Sequence, residues 1–438
     1  MSISNIVHYP LDNGLNIILE NIPHRISAVM GIWIPIGSRM ENDTEMGFSH
    51  FTEHMLFKGT KKRKYQDISR EIDRLGGYMN ASTSKEVTSY YISINSKYTE
   101  TALDVLSDIF FNSVFAKQEF DLEKQVILEE IKMSEDTPDD HLFDLFYHDF
   151  FGDTPLGRPI AGTLKSIGNC KRDELFNFYT SKYGANGSVL SLAGRLWEND
   201  NEKKSIKKTI EKLFNQKNNQ LTGSPAFQIE KPSEKTPLHV KHYQKKLEQT
   251  HFAFGLPGIS RLEENDAYAG IFTHLMGGTM SSKLFQKLRE ENGLCYAVST
   301  FHSQFFKEGL WGVYCGTSSQ NFNQAVDLMI KEIKNALNGD IPETEINETR
   351  NGLAAAMELS MESASRRADY NARSVLYFKK ARDWRDRIKK IENTKADDVI
   401  IGMNKLWQNK NFYLCSLGDM KKNNIEKEIS KKYKSPFI

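Results

Sequence analysis

Residues 47–60 read GFSHFTEHMLFKGT, with two histidines four apart and a glutamate directly before the second. On a helix, positions 50, 53, 54 and 57 share one face, so His50 and His54 stack one turn apart and can both reach one zinc ion at about 2.0–2.1 Å. Glu53 stands beside them, where a carboxylate can take a proton from a metal-activated water and later pass it to a leaving amine. This is hydrolase chemistry, written in the order His-x-x-Glu-His rather than the commoner His-Glu-x-x-His. A catalytic zinc also needs a third protein ligand and an open position. The stretch EFDLEKQVILEEIKMSED, residues 119–136, offers Glu123 and Glu130 two helical turns apart, with apolar Val126 and Ile127 between them on that stripe. Carboxylates on an apolar stripe are costly unless paired or metal-bound, which suits Glu130 as ligand and Glu123 as a supporting carboxylate. Glu129 competes for the same role, because a different helix start would bring it onto the face.

These residues need elements to carry them. Asp43 or Thr44 can cap a helix start, Glu45 suits its first turn and Gly59 its end, so a helix is predicted over 45–58. Longer amphipathic helices are predicted over Glu119–Glu135 and Glu343–Arg366, and alternating strands over 26–36, 86–95 and 250–258. The opening MSISNIVHYPLDNGLNIILE reads as strand, Asn-Gly turn, strand. The pattern is that of an α+β protein. The most polar segment, 215–237, marks the boundary between an N-terminal domain, 1–220, and a C-terminal domain, 221–438. GIWIPIGSRMENDTEMGFSHFTEHMLFKGT can be laid against FAFGLPGISRLEENDAYAGIFTHLMGGTMS, an internal repeat in which the second copy, around Thr273, His274 and Leu275, lacks the metal motif.

Composition narrows the function classes. A chain of 438 residues exceeds what one core usually serves. Its 58 Lys plus Arg against 57 Asp plus Glu argue against a nucleic acid or an anionic bilayer as partner. There is no glycine-rich phosphate loop, no secretory signal and no apolar run of about 18 residues that would span a membrane. Four cysteines without CxxC spacing, Cys170, Cys295, Cys315 and Cys415, suit a reducing compartment. A cytoplasmic location is expected, or an organelle matrix if a transit peptide has been removed. His239 and His242 are expected at the surface of a strand, and His141 and His148 packed within an aromatic helix; Cys295 has no basic neighbourhood to activate it.

Taken together, the motifs resemble the pitrilysin-type (inverzincin) zinc metallopeptidases in their short two-domain form, which includes mitochondrial processing peptidase and its bacterial relatives. The segments GGYMNASTSKEVTSY (76–90), LEEIKMSEDTPDD (128–140), PLGRPIAGT (155–163) and MGGTMSSKLFQKLREENGLCYAV (276–298) carry the resemblance across nearly the whole chain. Lys283 departs from it, since relatives often have arginine there. The family's ligand glutamate follows the His-x-x-Glu-His motif at a distance that selects Glu130 over Glu129, and its supporting acid falls on Glu123. The resemblance further implies two similar α/β-sandwich domains forming half a clamshell, one zinc per chain on His50, His54 and Glu130, and Glu53 as general base. It implies that an extended peptide substrate lies along the strand Asn80, Ala81, Ser82 and Thr83, with Arg289 and Tyr296 assisting the carbonyl from the other domain across a closed chamber. A homodimeric endopeptidase is the simplest expectation. The rival is a catalytically inactive core or scaffold subunit of a larger complex.

Overall fold

The computed structural model describes residues 6–216, 219–227, 239–420, 422–433 and 437. Much of the polar linker expected at 215–237 lies outside that set, at 217–218 and 228–237. Described residues within it pack on both halves of the sequence: Thr222 N–H donates to the Thr180 carbonyl at 2.8 Å, and Phe227 stacks on Tyr377 with ring centres 4.5 Å apart.

The chain divides into two units, each with its own mixed sheet. In the first, β1 (Ile6–Pro10), β2 (Asn16–Asn21), β3 (Ser27–Ile34), β4 (Tyr78–Thr83), β5 (Thr88–Asn95) and β6 (Val189–Gly194) take the order β1-β2-β6-β3-β5-β4. In the second, β7 (His239–Gln244), β8 (Thr250–Gly258), β9 (Cys295–Gln304), β10 (Gly309–Thr317) and β11 (Tyr413–Gly418) take the order β7-β11-β8-β10-β9. Without β1 the two orders correspond strand for strand, and the parallel pairs β2–β6 and β7–β11 fall at the same place. The repeat read from the sequence is thus a repeat of topology.

Alternation along the strands sorts side chains into two layers. Ile17, Leu19, Met30, Ile32, Leu190 and Leu192 turn to one face, where they share a core with α1 (Phe48–Leu56), α2 (Tyr65–Asp73), α3 (Thr99–Asn112) and α4 (Lys117–Asp136). Glu20, Trp33 and Ser191 turn to the other face and bond to the helix Ala364–Phe378. That helix belongs to the C-terminal half of the sequence. In the second unit, Leu142, Phe146 and Phe151 of α5 (Pro138–Phe151) bury against Ala253, Leu310, Tyr413 and Cys415. The first unit therefore runs to Met133, resumes at Arg158 up to the linker, and includes Ser360–Trp384. The second takes Ser134–Gly157, the stretch from the linker to Leu359, and everything from Arg385. The units interleave in sequence, where a division into 1–220 and 221–438 is a single cut.

The helix expected over Glu343–Arg366 is two helices, Glu343–Ser360 and Ala364–Phe378, because Ser363 Oγ accepts the Arg366 N–H and starts a new one. His242 is not at the surface: it is 1 % exposed, its Nδ1 meets Ser416 Oγ at 2.9 Å, and the helix Lys422–Lys432 packs against its strand. His239 is exposed, stacked on Tyr413. His141 is half-buried against the Glu135 carbonyl, whereas His148 is exposed rather than packed. The described cysteines are free and buried. Among the described residues no helix is long and apolar enough to cross a membrane.

Candidate metal centre

The motif helix α1 begins at Phe48, three residues later than its sequence signals suggest. Its cap is Glu41 rather than Asp43 or Thr44. Glu41 Oε2 accepts the Gly47 N–H at 2.8 Å and Oε1 the Ser49 N–H at 2.7 Å. Burial pushes this carboxyl up to about 7, with the N–H donors of Ser49 and Gly47 offsetting only part of the shift. Gly47 enters the helix at φ +90°, and a Cβ there would lie 2.7 Å from the Ala161 carbonyl oxygen, so both conformation and space require glycine. Phe51 then stacks on Phe120 at 4.9 Å, which fixes α1 against α4 and so sets the histidines opposite the glutamates.

His50 Nε2 lies 3.9 Å and His54 Nε2 3.6 Å from Glu130 Oε2. These spacings are too long for hydrogen bonds and close to the roughly 3.3–3.4 Å that separates ligand atoms around a tetrahedral zinc. Among the described residues, His50, His54 and Glu130 are the one group of three or more histidine, cysteine or acidic side chains whose ligand atoms all come within 4.8 Å of one another. Glu129 is turned away and pairs with Lys132 at 2.7 Å. Burial, together with the neighbouring His54, pushes the His50 ring down to about 4, leaving it the neutral imidazole that a metal requires. Burial disfavours the charged ring of His54 as well, but Glu123, Glu130 and Glu53 outweigh it and raise its value. The donor set, two imidazoles and one carboxylate, suits zinc.

Behind the donors, His54 Nδ1 meets Glu123 Oε1 at 2.8 Å, which orients the ring and directs Nε2 to the centre. Lys58 Nζ lies 2.6 Å from the other oxygen, Glu123 Oε2. Burial would raise the Glu123 carboxyl, yet His54 and Lys58 hold it below its usual range. Glu53 is shifted the other way: burial raises its carboxyl, and the Thr83 hydroxyl, which donates to Oε2, and the nearby His54 oppose the shift only in part.

Thr83 ends β4, the strand expected to hold substrate. Among the described residues β4 is the sheet edge, paired only with β5, and its side chains alternate in exposure. Met79 and Ala81 pack on the core, and Thr83 shares their face. Asn80 and Ser82 lie on the exposed face, and Asn80 Oδ1 accepts the Ala81 N–H at 2.8 Å. In the second unit, Arg289 and Tyr296 lie together: Arg289 Nη1 donates to the Tyr296 carbonyl at 2.8 Å, and its guanidinium sits 5.1 Å from the centre of the phenol ring. Two irregularities frame the pair. Arg289 lies in a π-helical segment, Phe285–Glu291, and Tyr296 sits where the β9–β10 register slips by one residue, with its side chain 73 % exposed. Lys283, the departure from the family pattern, pairs with Glu345 at 2.6 Å.

Sequence reasoning missed three contributors to the first unit's site. Lys58 had a readable signal, since it follows His54 by four residues. Thr83 was read as substrate strand and not as a partner of Glu53. Glu41 had no local signal, because its contact spans six to eight residues of irregular chain.

Residues 16–164 match the family described as Insulinase (Peptidase family M16), and residues 169–353 the family described as Peptidase M16 inactive domain. Among curated proteins, the chain is 35 % identical over 379 residues to the uncharacterized zinc protease YmxG of Bacillus subtilis, covering 86 % of this chain and 89 % of that one. It is 34 % identical to an uncharacterized zinc protease of Rickettsia bellii, covering 91 % and 94 %. Its fold matches the structure described as a peptidase M16 inactive domain from Pseudomonas fluorescens at a TM-score of 0.86, with 18 % identity over 95 % of this chain and 99 % of that one. A protease from Helicobacter pylori matches at 0.84, with 19 % identity over 95 % and 100 %.

Proposed function

The chain belongs to peptidase family M16, and from that premise we propose that it is a zinc-dependent endopeptidase acting on extended peptides or presequence-like segments. The observation that carries this reading is the convergence of His50, His54 and Glu130 within 4.8 Å, with Glu53 adjacent in sequence to His54.

His50, His54 and Glu130 would hold the zinc, which when bound polarises a water and the scissile carbonyl, bringing the water's pKa towards about 7. Glu53 takes the proton from the attacking water as the water oxygen adds to the carbonyl carbon. It returns that proton to the amide nitrogen as the C–N bond breaks. Thr83 fixes one oxygen of Glu53 and leaves the other for this transfer. The raised carboxyl of Glu53 favours the abstraction step, because a weaker acid is a stronger base towards water, and the proton then passes to the more basic leaving amine. The open edge of β4 supports binding of an extended peptide by strand addition, which uses main-chain groups common to every peptide and leaves Asn80 and Ser82 to meet its side chains. Arg289 and Tyr296 enter the reading through the resemblance and their own pairing, as a cation and a phenol able to stabilise an oxyanion.

The test is a quenched peptide substrate. Wild type is expected to cleave it in a chelator-sensitive way, and Glu53→Gln to keep its zinc while losing about 10²–10⁴-fold in kcat. Zinc-loaded wild type that cleaves nothing, across a mixed peptide library, would favour the scaffold role instead. In keeping with the short-form resemblance, the same preparation is expected to sediment at twice the mass of one chain; a single-chain mass would remove the homodimer from the reading. A cytoplasmic location fits the free cysteines, and fractionation of cells expressing the protein would test it.

A further inference from the structure

Glu123 is 6 % exposed, and a carboxylate so enclosed needs a partner for each oxygen. Oε1 has His54 Nδ1 at 2.8 Å, and Oε2 has Lys58 Nζ at 2.6 Å. No other cation pairs with it among the described residues; its neighbour Lys124 is turned to the carbonyls of Gly168 and Cys170. Lys58 follows the end of α1 by two residues, and its N–H is bonded to the Met55 carbonyl at 3.1 Å, so its main chain is held by the same helix that carries both histidines. Lys58 itself touches none of the three donor atoms.

We propose that Lys58 is a positioning residue of the metal centre. Its ammonium pins Glu123 Oε2, which keeps Oε1 on His54 Nδ1, and this fixes the ring that presents Nε2 to the metal. Without the ammonium, Glu123 has a buried oxygen with no partner, and the carboxylate must turn towards solvent, loosening its hold on His54. The inference rests on the proposed zinc site, and it adds a residue that acts on that site through Glu123.

Competition for zinc against a chromogenic chelator reads the effect without using activity. Lys58→Met is expected to weaken zinc binding about 10-fold, and Lys58→Arg, which keeps a cation, to recover most of the loss. In a Glu123→Gln background Lys58→Met is expected to cost nothing further. An equal loss in both backgrounds, or zinc affinity unchanged in Lys58→Met, overturns the proposal. A wild type that binds no zinc would instead remove the metal site itself, a separate outcome. If the methionine variant is too unstable to titrate, Lys58→Gln makes the same comparison, since the side chain is 29 % exposed and loses its charge without an apolar replacement.

Discussion

Glu41 and Glu123 are both enclosed carboxylates bonded to the motif helix or its histidine, and they fare oppositely. Glu123 has Lys58 and is held in its charged form, whereas Glu41 has main-chain N–H donors, no cation pairs with its carboxylate among the described residues, and burial pushes it up to about 7. His54 and Lys58 together outweigh the burial of Glu123, whereas the N–H donors of Glu41 offset only part of its own. Because the folded value of Glu41 lies above its ordinary 4.5, the folded state holds this proton more tightly than the unfolded chain does. That contribution is fully present below the lower value and is lost as pH rises through the upper one, by up to about 3 kcal/mol. The urea midpoint of wild type, taken relative to Glu41→Gln, is therefore expected to fall from about pH 5 to about pH 8. A difference that does not move with pH would mean that Glu41 does not titrate in this range.

At the scale of elements, the helix Ala364–Phe378 is tied to the first unit's sheet by buried and half-buried polar contacts. Arg367 Nη1 meets Glu20 Oε1 at 3.0 Å, Asn371 Nδ2 meets Glu20 Oε2 at 2.8 Å, and Trp33 Nε1 donates to Asp369 at 3.0 Å. Glu20 is 3 % exposed and follows the apolar run at 17–19 of its strand, so its charge depends on the helix. Removing the cation alone, in Arg367→Met, is expected to destabilise the protein by about 3 kcal/mol, because an uncompensated charge stays buried. The double variant Glu20→Leu with Arg367→Met is expected to regain much of that loss. Denaturant titration of the three proteins checks this, and a double variant less stable than the single would show that the ion pair is not the cause.

At the scale of the whole molecule, each half of the sequence gives the other's sheet a covering helix. A fragment ending at residue 228 lacks Ala364–Phe378 and would expose Trp33, Ser191 and the carboxylate of Glu20 together. Such a fragment is expected to give no cooperative thermal transition and to bind an apolar dye, in contrast to the intact chain. A sharp melt by calorimetry would show that the first sheet needs no helix from beyond the linker.

Much of the candidate centre was legible because helix periodicity is a local rule: four-residue spacing stacks His50 on His54, and seven-residue spacing puts Glu123 and Glu130 on one stripe, while the choice of Glu130 over Glu129 came from the family resemblance. The internal repeat was legible as well, since the two segments carry Ser-Arg, Asn-Asp and Gly-Thr pairs in the same order. Other features depend on contacts between residues far apart in the chain, and no local pattern specifies which partners meet. The Phe51–Phe120 stack sets α1 against α4, Lys58 takes the second oxygen of Glu123, and Thr83 takes one oxygen of Glu53. The partner that an isolated buried charge finds, and the sheet that a helix covers, are settled by desolvation over the folded core, and only the tertiary structure decided them.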